Sequence, residues 1–583
     1  MRWVRPSKQT RGELVSNDMN DNSSIFRRRQ PAVRKPLIAM ALGVVAGLVA
    51  NIAVAASAPT DTLVIGLPTL GTERWDVQTL NSGVEQQVMD MVNETLLTRD
   101  PKTLELRPGL AKSWALSRDG KTWVFKLHDG VPWQKGPDGT DYGILTSDDV
   151  RFTWSLMLEK GCTATRCAAW RQAVGGNLAN FEVVSNTEFR IHTPTIQPLL
   201  PQELANGQVV PVIVSKKYFE KAGYEAAISH PVGTGPFRFL KAERGFQVTL
   251  EAVPKHWRQT ASFTNIILRS VPDDASRLAQ VMSGGLDLAP IAVTQRPQAE
   301  AAGLRLISIA GVGTSSIMLG GMYPNHPNYD RKAPWIQADN PKAGLAIRQA
   351  MSAAIDRKAI LDKILFGEGE LMAAPLSFLP GAQLPWNEPS WKPDSYDPNR
   401  ARKLLSEGGY PNGFTVSMPI FEQGGRPAAK DIAEAVAGMF ERVGITVKRM
   451  PMDFATFRTH IKNRTTTGMV WQFTAPGTAE PALGLIAAYM PDGTIAHMYH
   501  PAITENVPKI YTEPNSKRRM ELTQAMGRSL LRDVAALPVV SVNTVYVASA
   551  RLGNWTAILG NGYVSRIEYA TRPGTQRSVK PTK

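Results

Sequence analysis

Among the eight histidines of this 583-residue sequence, the pair in "HMYH", His497 and His500, has the tightest spacing. Histidines three or four apart on a helix can share a metal, and a zinc protease adds a glutamate beside the first to activate bound water. No "HExxH" occurs here, so a solvated pair is the expected state of His497 and His500, with metal ligation as the alternative. No "GxSxG" occurs either, which removes the strained turn that exposes a hydrolase serine. Asp148 and Asp149 are adjacent carboxylates, but after Thr146 and Ser147 they are expected as favourable charges at a helix start. The "GTGPF" run at 233–237 lacks a following Gly-Lys-Ser/Thr and leads into a proline and a strand, so phosphate binding is not expected. The two cysteines, Cys162 and Cys167 in "GCTATRC", are spaced to close a small loop as a disulfide in an oxidising compartment, with two free thiols as the alternative. No metal and no cofactor are expected, and the chain is not expected to be an enzyme.

These residues need elements to hold them. "TLVIGLP" at 62–68 has the β-branched, non-alternating pattern of a buried parallel strand, and 84–97 has helical spacing. "SWALSRDGKTWVFKL" predicts a hairpin with its turn at "SRDG". A helix over 146–158, a second hairpin over 181–193 and two strands after the glycine turn of 230–257 follow. Beyond about residue 305 the texture changes to longer helices, over 341–365, 397–409 and 426–444, with proline starts and glycine stops. Strands "FTVSMPIF" and "ITVKRM" lie between and after them. The strand-like "LPVVSVNTVYVASA" at 537–550 is expected to return to the first half of the fold.

Length exceeds one ordinary core, and 43% hydrophobic with 20% charged residues indicates a globular chain. The amino end reads "RRRQPAVRK", then "PLIAMALGVVAGLVA", then "AVAASA", the order of a secretory signal peptide with cleavage expected after Ala55; a retained signal anchor is the alternative. Nine basic and three acidic residues before position 56 account for +6 of the formal +15, leaving +9 on the exported part. The basic residues are scattered, so no nucleic-acid partner is expected.

Four ordered blocks carry a family resemblance: "LRPGLAKSWALSRDGKTWVFKLHDGVPW", "TSDDVRFTW", "PVGTGPFRF" with "VPKHW", and "IRQAMSAAIDRKAI" with "DPNRARKLLSEGGYPNGF". From about Thr62 to Ala550 the sequence resembles the family 5 extracellular solute-binding proteins of ABC importers, the group of dipeptide-, oligopeptide- and nickel-binding proteins. That resemblance implies an α/β, bilobal periplasmic-binding-protein-like clamp (type II, cluster C) with an extra subdomain in the first lobe. The expected divisions are a signal peptide at 1–55, a first lobe at 56–305 with the accessory subdomain over about 100–215, a second lobe at 306–536, and a return to the first lobe with a tail at 537–583. Hinge crossings are expected near 305 and 537.

The implied function is capture of a solute between the lobes in the periplasm and its delivery to inner-membrane ABC permease subunits, by a monomer. The alternatives are a sensor docking on a chemoreceptor, or a secreted hydrolase. Trp75, Tyr323, Trp471 and Phe473 are the expected ligand-binding residues, with Glu73 and Arg74 as weaker candidates beside Trp75. One departure matters. Peptide-binding members place an aspartate about three residues after the tryptophan of "GMVWQFTA" to meet a terminal ammonium; here Gln472, Phe473 and Thr474 follow Trp471, and no acid appears before Glu480. Burying an ammonium without a carboxylate is costly, so an oligosaccharide, opine or modified peptide is expected ahead of an ordinary peptide.

Overall fold

The computed structural model describes residues 61–575 apart from 81–82, 165, 206–208, 382–383, 423–427, 478–479, 492 and 494–495. The chain divides into Met1–Val54 and Ala55–Lys583, and only the second unit contains described residues. The signal-peptide expectation lies outside them. Among the described residues, no helix is long and apolar enough to cross a membrane.

Strand Thr62–Leu67 is buried along its whole length and runs parallel to Asn265–Ser270 and Leu288–Ile291. That double burial is why its sequence shows no alternation. These strands belong to one nine-stranded sheet, in the order 470–476, 305–319, 537–548, 288–291, 62–67, 265–270, 247–252, 237–243, with 369–371 pairing on 537–548. Helix Gly83–Val92 is shorter than its periodicity predicts, because Leu97 already starts a strand.

The glycines of "GTGPF" serve a close approach. Gly235 N–H donates to the carbonyl of Val92 at 2.8 Å, and a Cβ on Gly233 would stand 2.0 Å from that same oxygen. Any side chain at Gly233 would therefore force the loop off the end of the helix.

The predicted hairpin forms from Ala111–Leu116 and Thr122–Leu127, with Gly120 at φ +72° in its turn. It joins Glu188–His192 and Phe181–Ser185 in a four-stranded accessory sheet, whose stacked Phe125, Phe189 and Phe181 face helix Ser147–Leu158. Asp149 is spent on structure. One carboxylate oxygen accepts Thr146 N–H and the other Lys216 N–H, both at 2.9 Å. Cys162 and Cys167 are joined in a disulfide that closes a short loop, a constraint contributing about 2 kcal/mol in the chain-entropy account.

In the second lobe the stretch predicted as one helix breaks into Pro341–Ala353 and Arg357–Lys363, because Asp356 caps the second piece by accepting Ala359 N–H at 2.9 Å. Helices Pro398–Glu407 and Ala429–Glu441 and the parallel strands Thr415–Ile420 and Thr446–Pro451 follow the predicted order.

The crossover between lobes is carried by the two longest strands, Arg305–Leu319 and Leu537–Ala548. Their ladder is interrupted between Ile309 and Gly313. Residues 310–312 stand opposite Asn543 alone, and a second irregularity falls between Ser315 and Ser316. Pairing of 305–309 with 544–548 keeps those residues in the first lobe's sheet. The tail after Ala548 packs back on that lobe: Arg551 donates to the carbonyl of Thr62 at 2.6 Å, and Val564 N–H donates to Gln87 Oε1 at 3.1 Å.

Candidate functional site

Strand Val470–Pro476 runs antiparallel to Arg305–Leu319, with Pro476 opposite Gly313 beside the hinge and Val470 opposite Leu319 deeper in the second lobe. Alternation puts Trp471, Phe473 and Ala475 on one face and Gln472 and Thr474 on the other. Gln472 Nε2 donates to Ser315 Oγ at 2.9 Å and to Thr474 Oγ1 at 2.7 Å, all three buried.

On the first face Trp471 is wholly buried, its ring 5.3 Å from Phe457 and 5.9 Å from His497. Phe473 stands 4.1 Å from the same imidazole, and Tyr489, the last residue of helix Pro481–Tyr489, 5.6 Å from it. The result is a box of three rings around His497, with Phe457 packed against Trp471. Burial alone drives the imidazole's pKa down to about 3, so it is neutral. Both His497 ring nitrogens, Trp471 Nε1 and Tyr489 OH are buried without a hydrogen-bond partner among the described residues. Buried groups of this kind ordinarily cost about 1–3 kcal/mol each.

The expectation put four aromatic faces at a cleft; the structure buries all four and brings only Trp471 and Phe473 together. Trp75 is 3% exposed and sits in the first lobe, 4.6 Å from Phe239, because its own N–H is tied to the carbonyl of Ile228. Glu73 accepts Gly245 N–H, and Arg74 pairs with Glu225 at the surface. Tyr323 is fully buried in the second lobe, with its hydroxyl on Thr466 Oγ1 at 2.9 Å and on the carbonyl of Ala496. His500 parts from His497: it caps helix Pro501–Thr512, its Nδ1 accepting Ala502 N–H at 3.2 Å, with Asp533 at 3.5 Å. Among the described residues no three His, Cys, Asp or Glu stand together as a metal site.

The two lobes meet beyond the hinge. Leu104 of the first lobe and Ile558 of the tail join the second lobe's apolar cluster with Phe378 and Leu379. Around this contact gather charged groups the sequence did not mark. Arg99 is buried, donating to Gln202 Oε1 at 2.6 Å and to the carbonyls of Gln202 and Leu104. Arg166, on the disulfide loop, pairs with Glu203 at 2.6 Å. Burial lowers the Arg99 pKa to about 10, against the opposing fields of Glu203 and of Glu480 from the second lobe. Burial raises the Glu480 carboxyl, while Ala482 N–H, Arg519 and Arg99 hold it down. Glu480, Pro481 and the following helix carry a capping signal legible in the sequence; the arginines, scattered from 99 to 519, carry none.

Two α/β lobes on a two-strand hinge, with an accessory sheet in the first and a charged and apolar junction between them, define a bilobal binding clamp. The chain belongs to the bacterial extracellular solute-binding proteins, family 5, whose sequence model matches residues 105–493. It is 26% identical over 372 residues to heme-binding protein A of Haemophilus influenzae, covering 61% of this chain and 64% of that protein. It is 27% identical over 370 residues to di/tripeptide-binding protein 1 of Pseudomonas aeruginosa, covering 60% and 64%. The chain thus spans just under two thirds of the length of these curated relatives. The structure of NikA from Brucella suis in complex with Fe(III)-EDTA superposes with a TM-score of 0.71 at 19% identity, over 88% of this chain and 99% of that one.

Proposed function

We propose that this protein captures a solute between its two lobes in the periplasm and hands it to the permease of an ABC importer. The observation that carries this reading is the break in the two long strands, which lose their register at 310–312 with Gly311 at φ +67°, a place for a hinge. Such a joint lets rigid lobes swing while the sheet stays paired on either side. A solute touching both lobes favours the closed state by its differential affinity for it, and only by that. Export by a cleaved signal peptide and action as a monomer complete the proposal.

The relatives bind heme, di- and tripeptides and a metal chelate by their names, so the family alone does not choose the solute class. The strand Val470–Pro476 argues against an ordinary peptide. Its acid is missing, and Glu480, the next one, caps a helix and stands in the fields of Arg519 and Arg99. No acid lies in the sequence between Trp471 and Glu480, so a peptide ammonium would lack the carboxylate expected on this strand, a loss of several kcal/mol for a buried charge. A neutral polar solute such as an oligosaccharide, or an opine or modified peptide, fits better. Calorimetric titration with unmodified di- to pentapeptides is expected to show no saturable binding; submicromolar binding that requires the free amine overturns the preference.

A further inference from the structure

The junction between the lobes carries charge on both of its faces. On the first lobe's side, strand Leu97–Arg99 ends in Arg99, whose guanidinium donates to the carbonyl of Leu104 at 3.2 Å and to Gln202. Leu104 is packed into the second lobe's apolar cluster, so Arg99 stands at the seam with it. Glu203, next to Gln202, is buried and pairs with Arg166 at 2.6 Å. On the second lobe's side Glu480 caps helix Pro481–Tyr489, whose Ala482, Leu485 and Tyr489 line the same cluster as Leu104. Helix Pro501–Thr512 adds Ile510 to that cluster and carries Tyr511 beside it. Burial raises the Tyr511 hydroxyl, and Glu203 across the seam raises it further.

Counted by lobe among the described residues, these charges do not cancel. Arg99 and Arg166 share one carboxylate, Glu203, which leaves the first lobe's face with a positive surplus. Glu480 and Glu513 share one guanidinium, Arg519, which leaves the second lobe's face with a negative surplus. Arg99 and Glu480 lie in each other's field and close the balance. A buried charge standing alone is costly, because the interior does not replace the water it loses; two opposite charges offset one another there. Such a pair adds little net attraction, since water solvates both groups once the faces part. What it forbids is a closed seam with one charge missing. We infer that Arg99 and Glu480 form a charge-matched latch across the seam: the lobes close when the two faces balance and part when either charge stands alone. The latch goes beyond solute capture, since it belongs to the closed arrangement itself and is the same whatever the solute.

Pulsed electron spin resonance on the mature protein tests it, with nitroxides at Arg118→Cys in the turn of the accessory hairpin and Lys403→Cys on helix Pro398–Glu407. Both positions are exposed, and the native cysteines are joined to each other. Arg99→Met keeps the arginine's stem without its charge, and Glu480→Gln keeps a side-chain oxygen for the cap on Ala482 N–H. Each single variant is expected to lower the ratio of closed to open lobes at least about tenfold. The double variant Arg99→Met, Glu480→Gln is expected to return it to within about threefold of the wild type, since no lone charge remains. Melting of each variant is followed in parallel, and Arg99→Gln takes the place of Arg99→Met if that protein does not fold. Label distances in the single variants that match the wild type, or a double variant as open as the singles, overturn the latch. Either result leaves solute capture standing, which fails instead if the wild type carries no solute.

Discussion

Acidification is expected to destabilise this protein through His497 by on the order of 3 kcal/mol between pH 7 and pH 4. An unfolded histidine takes up its proton near pH 6.5, whereas the folded one resists protonation down to about 3. Between those values the unfolded state binds the extra proton, so stability is full above pH 6.5 and falls steadily as pH drops. The cause is local: burial is the whole of the shift, and the imidazole is walled by Trp471, Phe473 and Tyr489. Chemical denaturation of the wild type and His497→Phe at pH 7 and pH 4 isolates the contribution. The variant is expected to lose the His497 share of the acid sensitivity and to be more stable at pH 7, since removing buried unpaired nitrogens removes their desolvation cost. A variant with unchanged pH dependence would mean that the folded imidazole titrates normally, and therefore that the box is wet.

The second large effect is expected at the clasp that holds the tail. Arg258 reaches Glu94 at 2.6 Å with both side chains largely out of water, and its guanidinium stands over Trp257 and Tyr569 at 5.5 and 5.9 Å. Trp257 Nε1 donates to the other oxygen of Glu94 at 2.9 Å. Burial alone would lower the pKa of Arg258, yet Glu94, Tyr569 and Glu568 together raise it, so the charge is well matched. Arg258→Ala strands the Glu94 carboxylate and is expected to cost about 3–5 kcal/mol. Because Tyr569 lies on the tail, limited proteolysis of the variant is expected to cut after Ala548 before it cuts elsewhere. The double variant Glu94→Gln, Arg258→Met is expected to recover most of the loss, since no lone charge remains. Equal losses in the single and double variants would show that packing of the arginine stem, and not charge pairing, holds the tail.

Much of the fold was legible because its signals are local. Residues 62–67 announce a doubly buried strand by composition, 117–120 a turn by Asp-Gly, and 397–407 a helix by Asp397 and Pro398. What was not legible depends on contacts between distant segments. The irregularity at 310–312 is a lost register against 543, which no local pattern encodes. The break at Asp356 hides in an unbroken helical periodicity. For the candidate site, the sequence marks Trp471 and Phe473 by their place on the strand, but Tyr489 and His497 reach them only through the fold. Trp75 shows the converse: an aromatic in a promising loop, drawn into the core by Phe239 and a backbone bond to Ile228.

The central claim is that the two lobes close on a solute, and native mass spectrometry of the mature protein isolated from its own periplasm tests it most directly. A protein ion heavier than the polypeptide by one small molecule is expected, released on denaturation and identified as a compound bearing neutral polar groups. A bare polypeptide under the same gentle conditions, with no change in its small-angle scattering after exposure to a periplasmic extract, would contradict it.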